Sequence, residues 1–205
     1  ETSGNAQITV GNYGQADYKA SAGGAFDENG TLRGRIALAS LNRDGYGRNL
    51  YLEEDVTDKD TFAMRAELGA YIGEDFDVQI AFDKMIDNSN PRGAQMLAPN
   101  AFGPGLLITP KTAPLEDRYD VRSGMPGVNE TVMKGASLTA NYRASEDWSF
   151  KYIFAQGESG TDTYTDFDTL PQQINDVKAF YDDEQISQEL QAHFDGGGAS
   201  RGALG

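Results

Sequence analysis

Eight acidic residues crowd positions 156–184: Glu158, Asp162, Asp166, Asp168, Asp176, Asp182, Asp183 and Glu184, against Lys178 alone. Carboxylates gathered in this way attract hard cations, which prefer oxygen ligands. Asp162, Asp166 and Asp168 are the trio whose spacing could present oxygens to one Ca²⁺. They lack the spacing and the glycine of an EF-hand loop, so a solvated acidic loop is the plainer expectation. A second group occupies 42–60, where Arg43, Tyr46, Arg48 and Tyr51 fall close together. Arginine and tyrosine suit a ligand that carries hydroxyls or negative charge, such as a sugar or an iron chelate. They suit equally a loop that packs on its neighbours. Catalysis has no footing. His193 lies between Ala192 and Phe194 in an alternating run and shares parity with Glu189 and Gln191. Its expected place is the wet face of a sheet. Gly23-Gly24 and Gly196-Gly197-Gly198 precede no helix carrying the lysine of a phosphate loop. The chain is expected not to be an enzyme and to need no cofactor.

The bulk composition narrows the classes further. The 205 residues carry 32 acids against 17 bases, a formal charge of −15. That balance argues against nucleic acid, whose phosphates demand a basic surface. There is no Cys and one His, so disulfides, thiolate metal sites and paired-histidine mechanisms are excluded. No run of about 18 apolar residues exists, so no transmembrane helix is expected. A membrane barrel stays open, because its segments alternate and show only weak hydropathy. The alternating pattern starts within a few residues of Glu1 and no signal peptide precedes it. A mature or excised piece is the expectation.

The elements that must carry these residues are strands. In 61–72, Phe62, Met64, Ala66, Leu68, Ala70 and Ile72 alternate with residues that include Arg65 and Glu67. After Gly73-Glu74-Asp75 the beat resumes with Phe76, Val78, Ile80 and Phe82. A period of two places successive side chains on opposite faces of a sheet. Each arm has roughly the 9–11 residues that cross a bilayer as a tilted strand. The same reading gives strands at 6–13, 16–26, 32–41, 61–72, 76–84, 134–143, 148–156 and 184–194. Even positions should form the apolar face and odd positions the polar one. The long connections are 42–60, 85–131 and 157–183; the short ones are 27–30, 73–75 and 144–147. The middle loop holds most of the prolines and the apolar residues Phe102, Leu106, Leu107 and Ile108. The Gly-rich tail is expected to be a turn without its next strand.

Long and short connections alternate, which in a meander puts the long loops on one rim. Outer-membrane barrels have that asymmetry. Phe26, Phe76, Tyr142, Trp148 and Phe194 fall near the short turns, and Tyr18, Phe62, Phe82 and Phe154 toward the other rim. Two such bands match interfacial girdles. The expected fold is all-β: an antiparallel up-and-down meander of about eight strands, forming a transmembrane β-barrel or a fragment of one. A soluble barrel also alternates, with its apolar face inward.

Ile8–Phe26, Leu32–Asn49 with its Asn42-Arg43-Asp44-Gly45-Tyr46 lead, and Ile186–Phe194 together resemble the barrel strands of TonB-dependent outer-membrane receptors. The resemblance runs over roughly residues 5 to 194. It implies a bacterial outer-membrane location and lipid as a partner. It further implies uptake of a scarce nutrient, such as an iron chelate or an oligosaccharide, recognised by the external loops. The family imports through a plug domain coupled to an inner-membrane energy protein. No segment before Ala6 is long enough for a plug, so the chain is expected to be the first third of such a barrel or a truncated relative. Alone it is expected not to transport actively. The alternatives are a complete small eight-stranded outer-membrane barrel with a structural or adhesive role, and a soluble β-barrel binding protein.

Overall fold

The computed structural model describes residues 2–95, 97, 114–198 and 200–205. The strands are β1 (Ser3–Val10), β2 (Ala16–Ala25), β3 (Leu32–Arg43), β4 (Gly47–Asn49), β5 (Glu54–Val56), β6 (Lys59–Ile72), β7 (Phe76–Asp87), β8 (Val128–Arg143), β9 (Trp148–Asp166), β10 (Asp176–Asp195) and β11 (Arg201–Leu204). Nine of them form one sheet in the order β1-β2-β3-β6-β7-β8-β9-β10-β11, while β4 and β5 pair separately. The described residues contain no helix. The chain is therefore all-β, and its main sheet is an antiparallel up-and-down meander. That sheet is open. β1 and β11 are its two edges, so 6–13 does not pair with 184–194 as closure of an eight-stranded barrel would need. The 196–200 turn brings β11 back against Ala192–Asp195, which occupies the end of β10 that β1 would have needed.

Several boundaries differ from the pattern reading. The first strand ends at Val10, because Gly11 donates to Gln15 O and Tyr13 and Gly14 take φ of 59° and 63° to turn the chain. Loop 42–60 contains the β4–β5 hairpin. Loop 85–131 is shortened at both ends by β7 and β8. Loop 157–183 is mostly strand, since β9 runs to Asp166 and β10 begins at Asp176. These ends keep no period of two: 157–166 of β9 is polar on both faces, while Met85-Ile86, Val132-Met133 and Phe180-Tyr181 place apolar residues on both faces at once. Backbone pairing with an ordered neighbour extends them regardless. The tail is a strand because β10 offers it an edge. The apolar group Phe102, Leu106, Leu107 and Ile108 lies outside the described residues.

Register is the strongest feature of the sheet. Ala6, Ala20, Leu38, Met64, Lys84, Lys134, Glu158 and Glu184 are consecutive partners across eight strands. Every pair in the main sheet joins residues of equal parity. Opposed residues in an antiparallel pair point to the same side. One parity therefore occupies one face from edge to edge, with no slip to reverse it. The even face carries Ile36, Leu68, Phe82 and Leu190, which are 44%, 49%, 54% and 64% exposed. No second layer of the described chain covers them.

The odd face is polar and hydrogen-bonded. Arg65 reaches Glu67 at 2.7 Å and Asp83 at 3.6 Å. Asn141 donates to Asp77 at 2.8 Å, and Arg35 to Ser21 at 3.1 Å. Arg33 lies over the Tyr71 ring at 4.8 Å. This face is hollowed: a cavity of about 540 Å³ is lined by Arg33, Arg35, Glu67, Tyr71, Asp77 and Gln79.

The two rims differ as expected. The amides of Tyr71, Arg143 and Asp195 donate to Thr31, Asp75 and Asp147, each at 2.8 Å, and knit the short turns into one rim. The long connections meet at the other, where Leu50 donates to Val121 O and Gly124 to Leu170 O.

On the even face the Phe26 ring covers Gly34, where an added Cβ would collide with it and sit 3.3 Å from Leu68. At Gly69 a Cβ would meet nothing closer than 3.7 Å. Gly34→Ala should therefore cost about 1–3 kcal/mol by overpacking, while Gly69→Ala stays within about 0.5 kcal/mol. Urea midpoints of the two variants check this ordering.

Candidate functional site

Among the described residues, most of the buried core lies in the connections. Val56, Val121, Met125 and Leu170 are almost fully buried, as are the polar residues Asn49 and Asp168. Three connections meet there: residues 44–58 with the β4–β5 hairpin, residues 114–127, and residues 167–175. Asn49, at 1% exposure, joins the first two. Its Nδ2 donates to Ser123 O at 3.0 Å, and its Oδ1 accepts from the amides of Tyr51 and Leu52 at 3.1 and 3.3 Å. Val121 N donates to Arg48 O at 2.9 Å beside it. A buried amide is tolerated only when its donors and acceptors are matched, and here they are.

Asp168 does the same for the third loop. Its carboxylate accepts the amides of Leu170, Ile174 and Asn175 at 3.0, 3.0 and 2.6 Å. The loop then docks on its neighbour through Gly124 N to Leu170 O at 2.8 Å and Gln173 Nε2 to Gly124 O at 3.1 Å. Gly124 is required, because a Cβ there would collide with the Pro171 carbonyl.

Backbone strain collects on this rim. Among the described residues, the non-glycine residues with positive φ are Tyr13, Glu53, Thr57 and Thr169, at 58–66°, all in rim turns. Each costs about 1 kcal/mol or more and persists only where its surroundings hold it.

The arginine–tyrosine group is brought together only in part. Arg43 lies over the Tyr46 ring at 4.5 Å. Tyr46 also meets Tyr13 at 5.9 Å and Tyr119 at 4.9 Å, both edge-on, and Arg118 covers Tyr119 at 4.7 Å. This is a chain of five side chains across three connections. Arg48 and Tyr51 stand apart on the outer side of the β4–β5 hairpin, where Arg48 Nη2 reaches Glu53 O at 3.4 Å and Tyr51 is 56% exposed. Pattern reading missed Tyr13, Tyr119, Arg118 and Asn49. They are far apart in sequence, and only the asparagine's place before a turn was a local signal.

The acidic trio is also rearranged. Asp166, Asp168 and Asp176 bring carboxylate oxygens within 4.8 Å of one another. Asp162 is not with them. It pairs with Glu130 and Phe180 in mid-sheet, about 13 Å along the strand from Asp166 at about 3.3 Å per residue. Asp176 takes its place because β9 and β10 put Asp166 and Asp176 directly opposite each other. Among the described residues, Asp166 Oδ2 and both oxygens of Asp176 are buried without a hydrogen-bond partner. Such a trio can share protons or offer oxygens to a hard cation.

His193, the lone histidine, is exposed on the odd face and pairs with Ser149, its ring 3.0 Å from Gln191 Oε1. Compared with known proteins, the chain matches no family model and no curated sequence.

Burial holds the carboxyls of Asp166 and Asp176 above the ordinary carboxylate range. Charge from Asp168 adds to this at both, and Asp166 also raises Asp176. A carboxyl raised on folding binds its proton more tightly in the folded state. Folded stability therefore rises as pH falls through the raised value and is reduced at neutral pH. Asp176→Asn should raise the stability of this rim at pH 7. The gain should shrink as the pH is lowered from about 8 to about 4. Protease protection of the 167–175 loop across that range reads it out.

Proposed function

We propose that this chain is a barrel segment of a TonB-dependent outer-membrane receptor, with the even face against lipid and the odd face toward water. The observation that carries the reading is the unbroken parity of nine strands. It leaves one face apolar and uncovered over the part of the strands nearer the short turns, with the polar face hollow. A soluble barrel needs the reverse, an apolar face turned inward. A second hollow of about 360 Å³, lined by Tyr71, Asp77, Asn141, Arg143, Lys151 and His193, lies on the polar side too. No helix among the described residues is long and apolar enough to cross a membrane, and strands are the crossing element in this reading.

The rim loops then form the receptor surface. Their strain, their buried polar hinges and the Arg43–Tyr46–Tyr119 chain suit a preorganised surface for a ligand with hydroxyls or negative charge. An iron chelate or an oligosaccharide fits that description. The segment binds lipid and ligand; active uptake needs the plug and the energy-coupling partner of the family it resembles. The unpaired edges of β1 and β11 also require partner strands in hydrocarbon.

Two measurements test this. The refolded chain should float with phosphatidylcholine vesicles and resist alkaline extraction; a detergent-free monomer that stays in the aqueous fraction would count against it. Leu68→Lys, at mid-height on the even face, should destabilise the vesicle-bound form by about 2–4 kcal/mol. Gln79→Lys on the odd face should stay within about 0.5 kcal/mol. Equal effects on urea unfolding would put lipid on the wrong side.

A further inference from the structure

The short-turn end of the polar face gathers cations in a chain whose formal charge is −15. Arg143, Ser149 and His193 are consecutive partners across β8, β9 and β10. Lys151 follows Ser149 by two residues and stands opposite Asn141 and Gln191. All four have odd numbers, so their side chains leave the sheet on the same side. Strands about 4.8 Å apart and a rise of about 3.4 Å per residue put the Cα atoms of the three bases within about 10 Å of one another, around Ser149. The four residues line the hollow of about 360 Å³ on this face. Small residues keep it open: Ser149 lies between Arg143 and His193, and Ala203 of β11 stands on the other side of His193.

None of the three bases is in an ion pair among the described residues. Asp77 stands in the same row as Lys151, but it accepts at 2.8 Å from Asn141, which lies between them. His193 turns Nε2 to Gln191 Oε1 at 3.0 Å, which leaves Nδ1 for a ligand. Like charges this close repel one another, and an anion set among them replaces repulsion by attraction.

We propose that this hollow is an oxyanion site for a phosphate group carried on a small polar molecule, held by Arg143, Lys151 and His193 with the Ser149 hydroxyl between them. A guanidinium fork matches two phosphate oxygens, and an ammonium adds a point charge. The hollow has the volume of a small-molecule site, more than a bare phosphate fills. The Tyr71 hydroxyl and the Asn141 carbonyl on its wall offer hydrogen bonds to the rest of the molecule. Glu74 and Asp75 of the β6–β7 turn line it too, so a single phosphate group suits it and a polyanion does not. The site is independent of the membrane reading, because a polar face meets water with or without lipid behind it. It also lies at the opposite end of the sheet from the rim loops.

Isothermal titration calorimetry of the full chain at constant ionic strength tests this, with inorganic phosphate as the probe. Phosphate should bind saturably at a single site, glycerol 3-phosphate should compete for it, and glycerol should not. Arg143→Gln and Lys151→Gln should each weaken binding by about tenfold or more. Lys19→Gln, which removes an odd-face charge on β2, should change it by less than about twofold. Far-ultraviolet circular dichroism checks the fold of each variant, and Arg143→Gln, at a strand end, carries the test alone should Lys151→Gln not fold. Equal weakening in all three variants would reduce the binding to net charge and overturn the site. Absence of saturable binding to the unaltered chain would overturn it as well, and neither result touches the membrane reading.

Discussion

Everything in this protein depends on one constraint: an antiparallel register that keeps parity across nine strands. Backbone pairs fix which side chains share a face, and one slipped pairing would send half the sheet's apolar residues to the polar side. Because each pair in the main sheet is even with even or odd with odd, short local alternations add up to two chemically distinct surfaces. The apolar surface has no partner within the described chain. The polar surface is hollow and laced with bonds such as Arg65–Glu67 and Asn141–Asp77. An uncovered apolar face beside a concave polar one is the geometry on which the proposed membrane reading rests.

The same constraint explains where the packed core went. A single sheet layer has little interior, with Ala81 and Asp17 buried on it, so most of the burial comes from the connections. Val121, Met125 and Leu170 supply its apolar part, and Asn49 and Asp168 supply its polar hinges. Each hinge satisfies backbone groups of its own or neighbouring loops that would otherwise be stranded away from water. The loops are thereby ordered against each other while the sheet beneath is left for its surroundings. Positive φ at Tyr13, Glu53, Thr57 and Thr169 shows that this order comes with backbone strain. A ligand surface on such loops starts preorganised, which lowers the entropy lost on binding.

Register decides which charges meet. On the sheet Arg35 stands opposite Glu67 and Lys134 opposite Glu158, but Lys84 also stands opposite Lys134 and Glu158 opposite Glu184. At the rim, Asp166 and Asp176 face each other with unpartnered oxygens, an arrangement that like charges resist. The β9–β10 register imposes it: the pairing that aligns Ile186 with Gln156 and Phe194 with Trp148 necessarily aligns Asp176 with Asp166. The hydrophobic pattern below outweighs the repulsion above.

Alternation in the sequence by itself determined the all-β class, the meander, the even and odd faces and the side on which the long loops meet. The reason is local: a period of two and a turn such as Asp27-Glu28-Asn29-Gly30 are read within a few residues. The upper halves of β9 and β10 were hidden, because 157–166 is polar on both faces and Phe180-Tyr181 puts aromatic rings on both, so neither carries a period. Their strand form comes from pairing with a neighbour already in place. Closure was equally beyond the sequence, since nothing local says that β11 rather than β1 takes the end of β10. The site followed the same division. Arg43 and Tyr46 were legible as candidates, but Tyr13, Tyr119 and Asn49 joined them only through contacts between distant connections. Asp176 displaced Asp162 in the acidic trio for the same reason. Spacing along a chain sets which residues share a face, whereas only tertiary pairing decides which residues of different strands stand opposite each other.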